Sequence, residues 1–324
     1  MMEDLESRID LTEFSEKIKV LKEKIGEIIV GQEKTVDLLL TALLADGHVL
    51  LEGVPGVAKT LLAKLMAKLI QADFSRIQFT PDLMPSDVLG TSIFNLKSSE
   101  FEFVKGPVFS EIVLIDEINR APAKTQAALF EVMEEHQVTV DGFTRKMNEI
   151  YMVIATQNPV EQEGTYRLPE AQLDRFLMKV VLGYPKREEE FSILKRHHEN
   201  NRLAKLDNVN PILTKEELIR FMNIGKQVFV EDSVLKYITD IIISTRNSKA
   251  IYLGASPRAG VALLNAAKAF AILQGRDFVI PDDIKYLVVP VLQHRIMLSA
   301  ETEMEGRSAA SVIKLLVEKI DVPK

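Results

Sequence analysis

The 324-residue chain contains no cysteine. Disulfide staples, thiolate zinc sites and cysteine nucleophiles are therefore excluded. Long apolar runs are missing as well: none approaches the ~18 residues that suggest a membrane-spanning helix. The start, MMEDLESRID, is acidic and polar and lacks the layout of a secretory signal. A cytoplasmic location is the expectation. Basic blocks are also lacking. The formal net charge is −7; residues 1–185 carry 19 basic and 29 acidic side chains, and the remainder 21 and 18. Neither part has the Lys/Arg excess that marks a nucleic-acid surface. Five histidines, including the adjacent His197 and His198, form no ligand-like pairing with carboxylates, so no dedicated metal site is expected.

What is present is an alternation of short apolar runs with helical periodicity. Leu11, Phe14, Ile18, Leu21, Ile25 and Ile28 have helical spacing. KTVDLLLTALLADG predicts a second helix that Gly47 can end. HVLLEG, FSRIQFT, EIVLIDEI, EIYMVIATQNP and KVVLGYP predict strands, with helices over TLLAKLMAKLIQA and AKTQAALFEVMEEH. QVTVDGFTRKM reads as a hairpin around Asp141-Gly142. Beyond Pro185 the pattern is mainly helical. A boundary there divides the chain into 1–185 and 186–324. Strands alternating with helices predict a parallel sheet covered on both faces. The ligands of such sheets sit beyond the strands' carboxyl ends.

Three polar signals follow apolar strands at those ends. The first is Gly53-Val54-Pro55-Gly56-Val57-Ala58-Lys59-Thr60, close to the phosphate-loop pattern but with alanine at its second glycine position. In such a loop backbone N–H groups bind phosphate oxygens, helped by the following helix, here opened by Leu61 and Leu62. Lys59 would neutralise the β- and γ-phosphates and Thr60 would ligate Mg²⁺. Gly53 and Gly56 would relieve steric strain in the turn. Ala58 fits if its φ is negative and its methyl stays clear of the phosphates. The second signal is VLIDEINR, where Asp116 would hold the metal and Glu117 would polarise the attacking water. The bland alternative is a strand end with two solvated carboxylates. The third is ATQNP: Asn158, or its neighbour Gln157, could hydrogen-bond the γ-phosphate or the water, or simply form a turn before proline. Two arginines, Arg175 in LPEAQLDRF and Arg258 in GASPRAG, are of the type that meets charge building on a transferred phosphoryl group. Either could equally form a surface salt bridge.

Together GVPGVAKT, VLIDEINRAPAKTQAALFEVMEE, IATQNPVEQEGTYRLPEAQLDRF and GASPRA resemble the MoxR family of AAA+ ATPases, in the right order over nearly the whole chain. The family pattern carries alanine at the position of Ala58. The resemblance implies a P-loop AAA+ core with a parallel sheet covered by helices, followed by a smaller all-helical lid. It implies that Lys59 and Thr60 belong to Walker A, Asp116 and Glu117 to Walker B, Asn158 to sensor 1, Arg175 to the arginine finger that reaches a neighbour's nucleotide, and Arg258 to sensor 2. Whether Arg258 acts on its own or a neighbour's site stays open. Gly31 and Gln32 fall in the segment that lines the adenine pocket. An insert in the second core helix is expected near 81–110 and a hairpin before sensor 1 near 137–147. The family implies ATP and Mg²⁺, a ring that is usually hexameric, and chaperone-like action on protein partners, often with a von Willebrand factor A domain. A DNA translocase and a nucleotide-dependent scaffold share the architecture and remain the alternatives.

Overall fold

The computed structural model describes residues 10–54, 56–158, 168–199 and 209–323. Two helices, α1 (Thr12–Ile28) and α2 (Glu33–Leu44), lead into β1 (His48–Gly53), α3 (Lys59–Leu69) and β2 (Phe74–Gln78). A short helix α4 (Pro85–Leu89) and a hairpin of β3 (Gly90–Asn95) and β4 (Glu100–Lys105) precede β5 (Ile112–Asp116) and α5 (Ala123–Glu135). A second hairpin, β6 (Gln137–Val140) and β7 (Phe143–Lys146), is followed by β8 (Met152–Gln157), α6 (Glu170–Leu173) and β9 (Phe176–Leu182). From there the chain is helical: α7 (Arg187–Glu199), α8 (Lys215–Lys226), α9 (Asp232–Asn247), β10 (Ile251–Leu253), α10 (Pro257–Leu273), α11 (Pro281–Leu292), β11 (Met297–Leu298), α12 (Ala300–Met304) and α13 (Ala309–Val317). Among the described residues the small β10–β11 ribbon and an isolated bridge between Phe229 and Phe278 depart from the expected all-helical character.

Five strands form one parallel sheet in the order β2-β5-β8-β1-β9. The runs are continuously apolar because successive residues enter different cores. Val49 and Leu51 pack on the side of α1, α2, α3 and the C-terminal helices, whereas Leu50 packs against α5. β5 divides in the same way, with Ile112 and Leu114 on one side and Val113 and Ile115 on the other. The first core is shared with the C-terminal helices, where α10 and α11 pack on α2 and β9. Met66 and Leu69 of α3 are buried in it, as their spacing predicts.

Both hairpins lie within the spans expected for inserts. Asp141 (φ 55°) and Gly142 (φ 79°) make the tight turn of the second. The hairpins touch: the Arg145 guanidinium lies 3.9 Å from the Phe103 ring centroid. No described helix is long and apolar enough to cross a membrane.

His48 is buried at the start of β1. Its Nδ1 accepts from Val153 N–H at 3.1 Å, so Nε2 carries the proton and donates to Met133 O at 3.0 Å. Burial pushes its pKa down to about 4 from 6.5, against the opposing hydrogen bond to Met133. The folded state thus holds a neutral imidazole. Its stabilising contribution is present above the unfolded value and is lost as pH falls from 6.5 towards 4. At pH 5 the loss from this one group is about 2 kcal/mol. Buried His294 is depressed for the same reason and acts in the same direction. Urea unfolding at pH 7.5 and pH 5 is expected to reveal a stability loss that is smaller in His48→Gln than in the wild type.

Candidate functional site

The carboxyl ends of β1, β5 and β8 bring the three polar signals to one edge of the sheet. β1 ends at Gly53, where an added Cβ would lie 2.8 Å from both Cβ and O of Leu182, so close strand packing requires glycine. Gly56 has φ +87° with open space around it and serves the turn. Pro55 lies outside the described residues, as does 159–167, the middle of the IATQNPVEQEGTYRLPEAQLDRF segment.

Ala58 corrects the expectation of a negative φ. It is left-handed, at φ 58° and ψ 23°, and forms the N-cap of α3. Its carbonyl accepts from Leu62 N–H at 2.9 Å, which starts the helix at Lys59. The loop closes by turning the chain at this residue, a conformation that costs a non-glycine residue roughly 1–2 kcal/mol. The exposed methyl adds no clash of its own. Ala58→Gly is therefore expected to stay within about 1 kcal/mol of the wild type, strain relief offsetting glycine's extra unfolded-state freedom. Ala58→Val, β-branched in a left-handed position, is expected to lose about 1–3 kcal/mol. Urea unfolding measures both.

Lys59 Nζ donates to Gly53 O at 2.8 Å. Burial pulls its ammonium below the ordinary value, opposed by the carboxylates of Asp116 and Glu117. Thr60 and Leu61 follow in the first turn of α3. Asp116 ends β5 nearly buried; Thr156 Oγ1 donates to its Oδ1 at 3.2 Å, and Arg76 Nε pairs with its Oδ2 at 2.6 Å. Glu117 lies beyond the strand, also left-handed at φ 58°. Its N–H donates to Thr156 Oγ1 at 3.0 Å, and Gln78 Nε2 donates to its Oε2 at 2.6 Å. Arg120 Nε lies 3.1 Å from the same oxygen. Asn158, at the end of β8, is buried, whereas its rival Gln157 is half-buried.

Gly31 and Gln32 line a cavity of about 760 Å³ together with Glu52, Tyr184, Glu189, Pro290, Gln293 and Ser308. Neither Lys59 nor Asp116 lines it; Glu52, the residue before Gly53, is where it comes nearest the loop in sequence, and Val289, Pro290, Gln293 and residues 308–310 of the C-terminal helices line its other side. Val54 is half-buried and Val57 is buried; both pack into the core beside α3.

Arg175 and Arg258 are not at this edge. Arg258 NH2 donates to Glu134 Oε2 at 2.6 Å, and Arg175 NH1 lies 3.6 Å from the same oxygen. Arg175 NH1 also donates to Phe130 O at 2.5 Å. Both arginines line a second cavity of about 240 Å³ with Asp46, Gly47 and His48, at the amino end of β1. The six residues of β1 separate this cavity from the loop by about 17 Å.

Comparison with known proteins gives the arrangement a lineage. Residues 48–178 match the ATPase family associated with various cellular activities, and residues 243–315 match the AAA lid domain. The chain is 42% identical to the chaperone MoxR1 of Mycobacterium tuberculosis, over 93% of this chain and 81% of that protein. It belongs to the MoxR family of AAA+ ATPases. It is also 49% identical to the uncharacterized protein YeaC of Bacillus subtilis, over 93% of each. A crystal structure of a candidate ATPase from Cytophaga hutchinsonii superposes with a TM-score of 0.89 at 42% identity, covering 97% of both chains.

Several residues of this MoxR-family site carry no local sequence signal. Thr156 Oγ1 accepts from the Glu117 backbone N–H and donates to the Asp116 carboxylate, and Arg76 and Gln78 reach the carboxylates of Asp116 and Glu117 from β2. A parallel register places Gln78 opposite Asp116, so alignment of the strands could have found it. Tyr184, Glu189 and Gln293 enter the larger cavity from distant segments, and only packing of the lid on β9 brings them there.

Proposed function

We propose that this MoxR-family ATPase binds ATP with Mg²⁺ at the loop from Gly53 to Thr60 and hydrolyses it at sites completed by a neighbouring copy. The observation that carries the reading is the separation of Arg175 and Arg258 from their own loop, at the opposite end of β1. A side chain extends only a few ångströms, so within one chain neither arginine meets the phosphates. An assembled ring removes the difficulty, because the arginine end of one copy then faces the loop end of the next. This reading assigns Arg258, like Arg175, to a neighbour's nucleotide. The second cavity gathers three guanidinium groups, Arg175, Arg258 and Arg295, with three carboxylates, Asp46, Glu134 and Asp174.

Within each site, backbone N–H groups after Gly53 and the amino end of α3 hold the phosphates, and Lys59 leaves its Gly53 carbonyl to neutralise them. Thr60 and Asp116 offer hard oxygen donors, which fits Mg²⁺. Mg²⁺ held by Thr60 and Asp116 would supply charge neutralisation to the phosphates. Glu117 orients and deprotonates the attacking water, and Asn158 holds that water or the γ-phosphate. The adenine side occupies the cavity at Gly31 and Gln32.

We place the core–lid boundary after Pro185 and read the assembly as a hexameric, cytoplasmic ring that remodels or activates partner proteins, including those with a von Willebrand factor A domain. The relative named as a chaperone supports that use. The test is ATPase activity per subunit against protein concentration. It should rise steeply through the assembly range, vanish with excess EDTA and show no salt-dependent stimulation by DNA. Full activity in a verified monomer would overturn the shared site, and DNA stimulation would favour a translocase.

A further inference from the structure

The segment carrying Arg175 has one short turn of local backbone bonds, ending with Asp174 N–H to Glu170 O at 3.0 Å and Arg175 N–H to Gln172 O at 3.3 Å. α6 spans only four residues, and Arg175 sits between its end and the start of β9. A further set of bonds to the segment comes from the C-terminal helices, 118–121 residues away. Arg295, in the turn after α11, is nearly buried. Its Nε pairs with Asp174 Oδ1 at 2.6 Å, and its NH2 donates to Asp174 O at 3.1 Å and Phe176 O at 2.8 Å. Its NH1 donates to Leu177 O at 2.9 Å and to Val291 O, on its own helix, at 2.5 Å. One guanidinium therefore grips the chain on both sides of Arg175 and ties it to α11. His294 Nε2 adds a contact to Phe176 O at 2.9 Å.

A planar fork of five N–H donors can satisfy these divergent oxygens at once, whereas a single ammonium cannot. Arg295 is too enclosed to meet a neighbour's phosphates itself. The same α11 turn also reaches the large cavity: Gln293 lines it and donates to Lys179 O at 2.6 Å.

We infer that Arg295 is a positioning residue for Arg175, holding it for presentation to the adjacent copy and linking that presentation to the lid. The inference rests on the shared-site reading above. An arginine displaced by about 1 Å from a transferring phosphoryl group forfeits on the order of 10²-fold in rate. The loss falls on the neighbour's turnover and leaves the variant's own nucleotide pocket intact.

Mixed assemblies test this. Arg295→Lys alone should bind ATP with a Kd within about twofold of the wild type while kcat falls on the order of 10²-fold. Glu117→Gln alone should be inactive but presents an intact arginine. Mixing the two should restore hydrolysis, because Arg295→Lys subunits contribute working sites and Glu117→Gln subunits contribute working arginines. The control is a mixture of Arg175→Ala with Glu117→Gln. If the control does not recover, the shared-site reading fails. If the control recovers and the Arg295→Lys mixture does not, the shared site stands and the inference is overturned. Wild-type turnover by Arg295→Lys also overturns it. Should Arg295→Lys fail to fold, Asp174→Asn, at a half-exposed position, replaces it in the same mixture. It is expected to lose less turnover and to recover likewise; wild-type kcat in this variant, or no recovery on mixing, would overturn the inference.

Discussion

Glu117→Gln is expected to retain ATP binding while hydrolysing it about 10²–10⁴-fold more slowly, the range that a positioned general base contributes. The substitution keeps the volume of the side chain and its capacity to accept from Gln78 Nε2, so the geometry around β2 and β5 survives. The backbone N–H of residue 117 still donates to Thr156 Oγ1. On the proposed mechanism, what disappears is the proton acceptor for the attacking water. Glu117 lies just beyond the strand with a left-handed backbone, and its carboxylate meets Gln78 and Arg120, whereas that of Asp116 meets Arg76 and Thr156. Equilibrium binding of labelled ATP and steady-state phosphate release measure the two quantities separately. Turnover at the wild-type rate would show that another group activates the water.

Arg175→Ala is the second large effect. Loss of an arginine that meets the transferred phosphoryl group costs roughly 10³–10⁵ in kcat. Each subunit should nevertheless bind nucleotide as before, because residue 175 lies at the amino end of β1 and the loop at the other. Removing Arg175 also leaves Glu134 paired with Arg258 at 2.6 Å, so the fold does not lose a buried charge partner. Steady-state kcat and a nucleotide titration on the same preparation check both halves. A large loss of affinity with unchanged kcat would place Arg175 at its own nucleotide.

β1, β5 and β8 were legible because each is buried on both faces, which leaves unbroken apolar runs such as HVLLEG and EIVLID bounded by polar residues. The loop and the paired carboxylates were legible because their chemistry needs fixed residue types at fixed short spacing. The torsion at Ala58 was not, since residue identity only weights the backbone regions and the hydrogen bond from Leu62 decides among them. The surroundings of Arg258 were equally invisible: its partner Glu134 lies 124 residues earlier, and only the packing of α10 near α5 brings them together. Arg295 reads in sequence as part of a polar turn, LQHRI, and gains its meaning from oxygens on a strand more than a hundred residues upstream. Arg76 and Gln78 alternate with apolar neighbours along β2, a pattern as typical of solvent-facing positions as of a site.

The turn after α11 has one further effect. β9 is the last strand of the sheet, and its outer side would otherwise present a row of free backbone acceptors. Side chains of Gln293, His294 and Arg295 occupy the carbonyls of residues 176, 177 and 179. A sheet margin sealed in this way offers no template for a foreign strand, the common start of edge-to-edge aggregation. The lid thereby doubles as a guard on solubility. A chain truncated before α11 should precipitate through this margin even if its remaining sheet has formed.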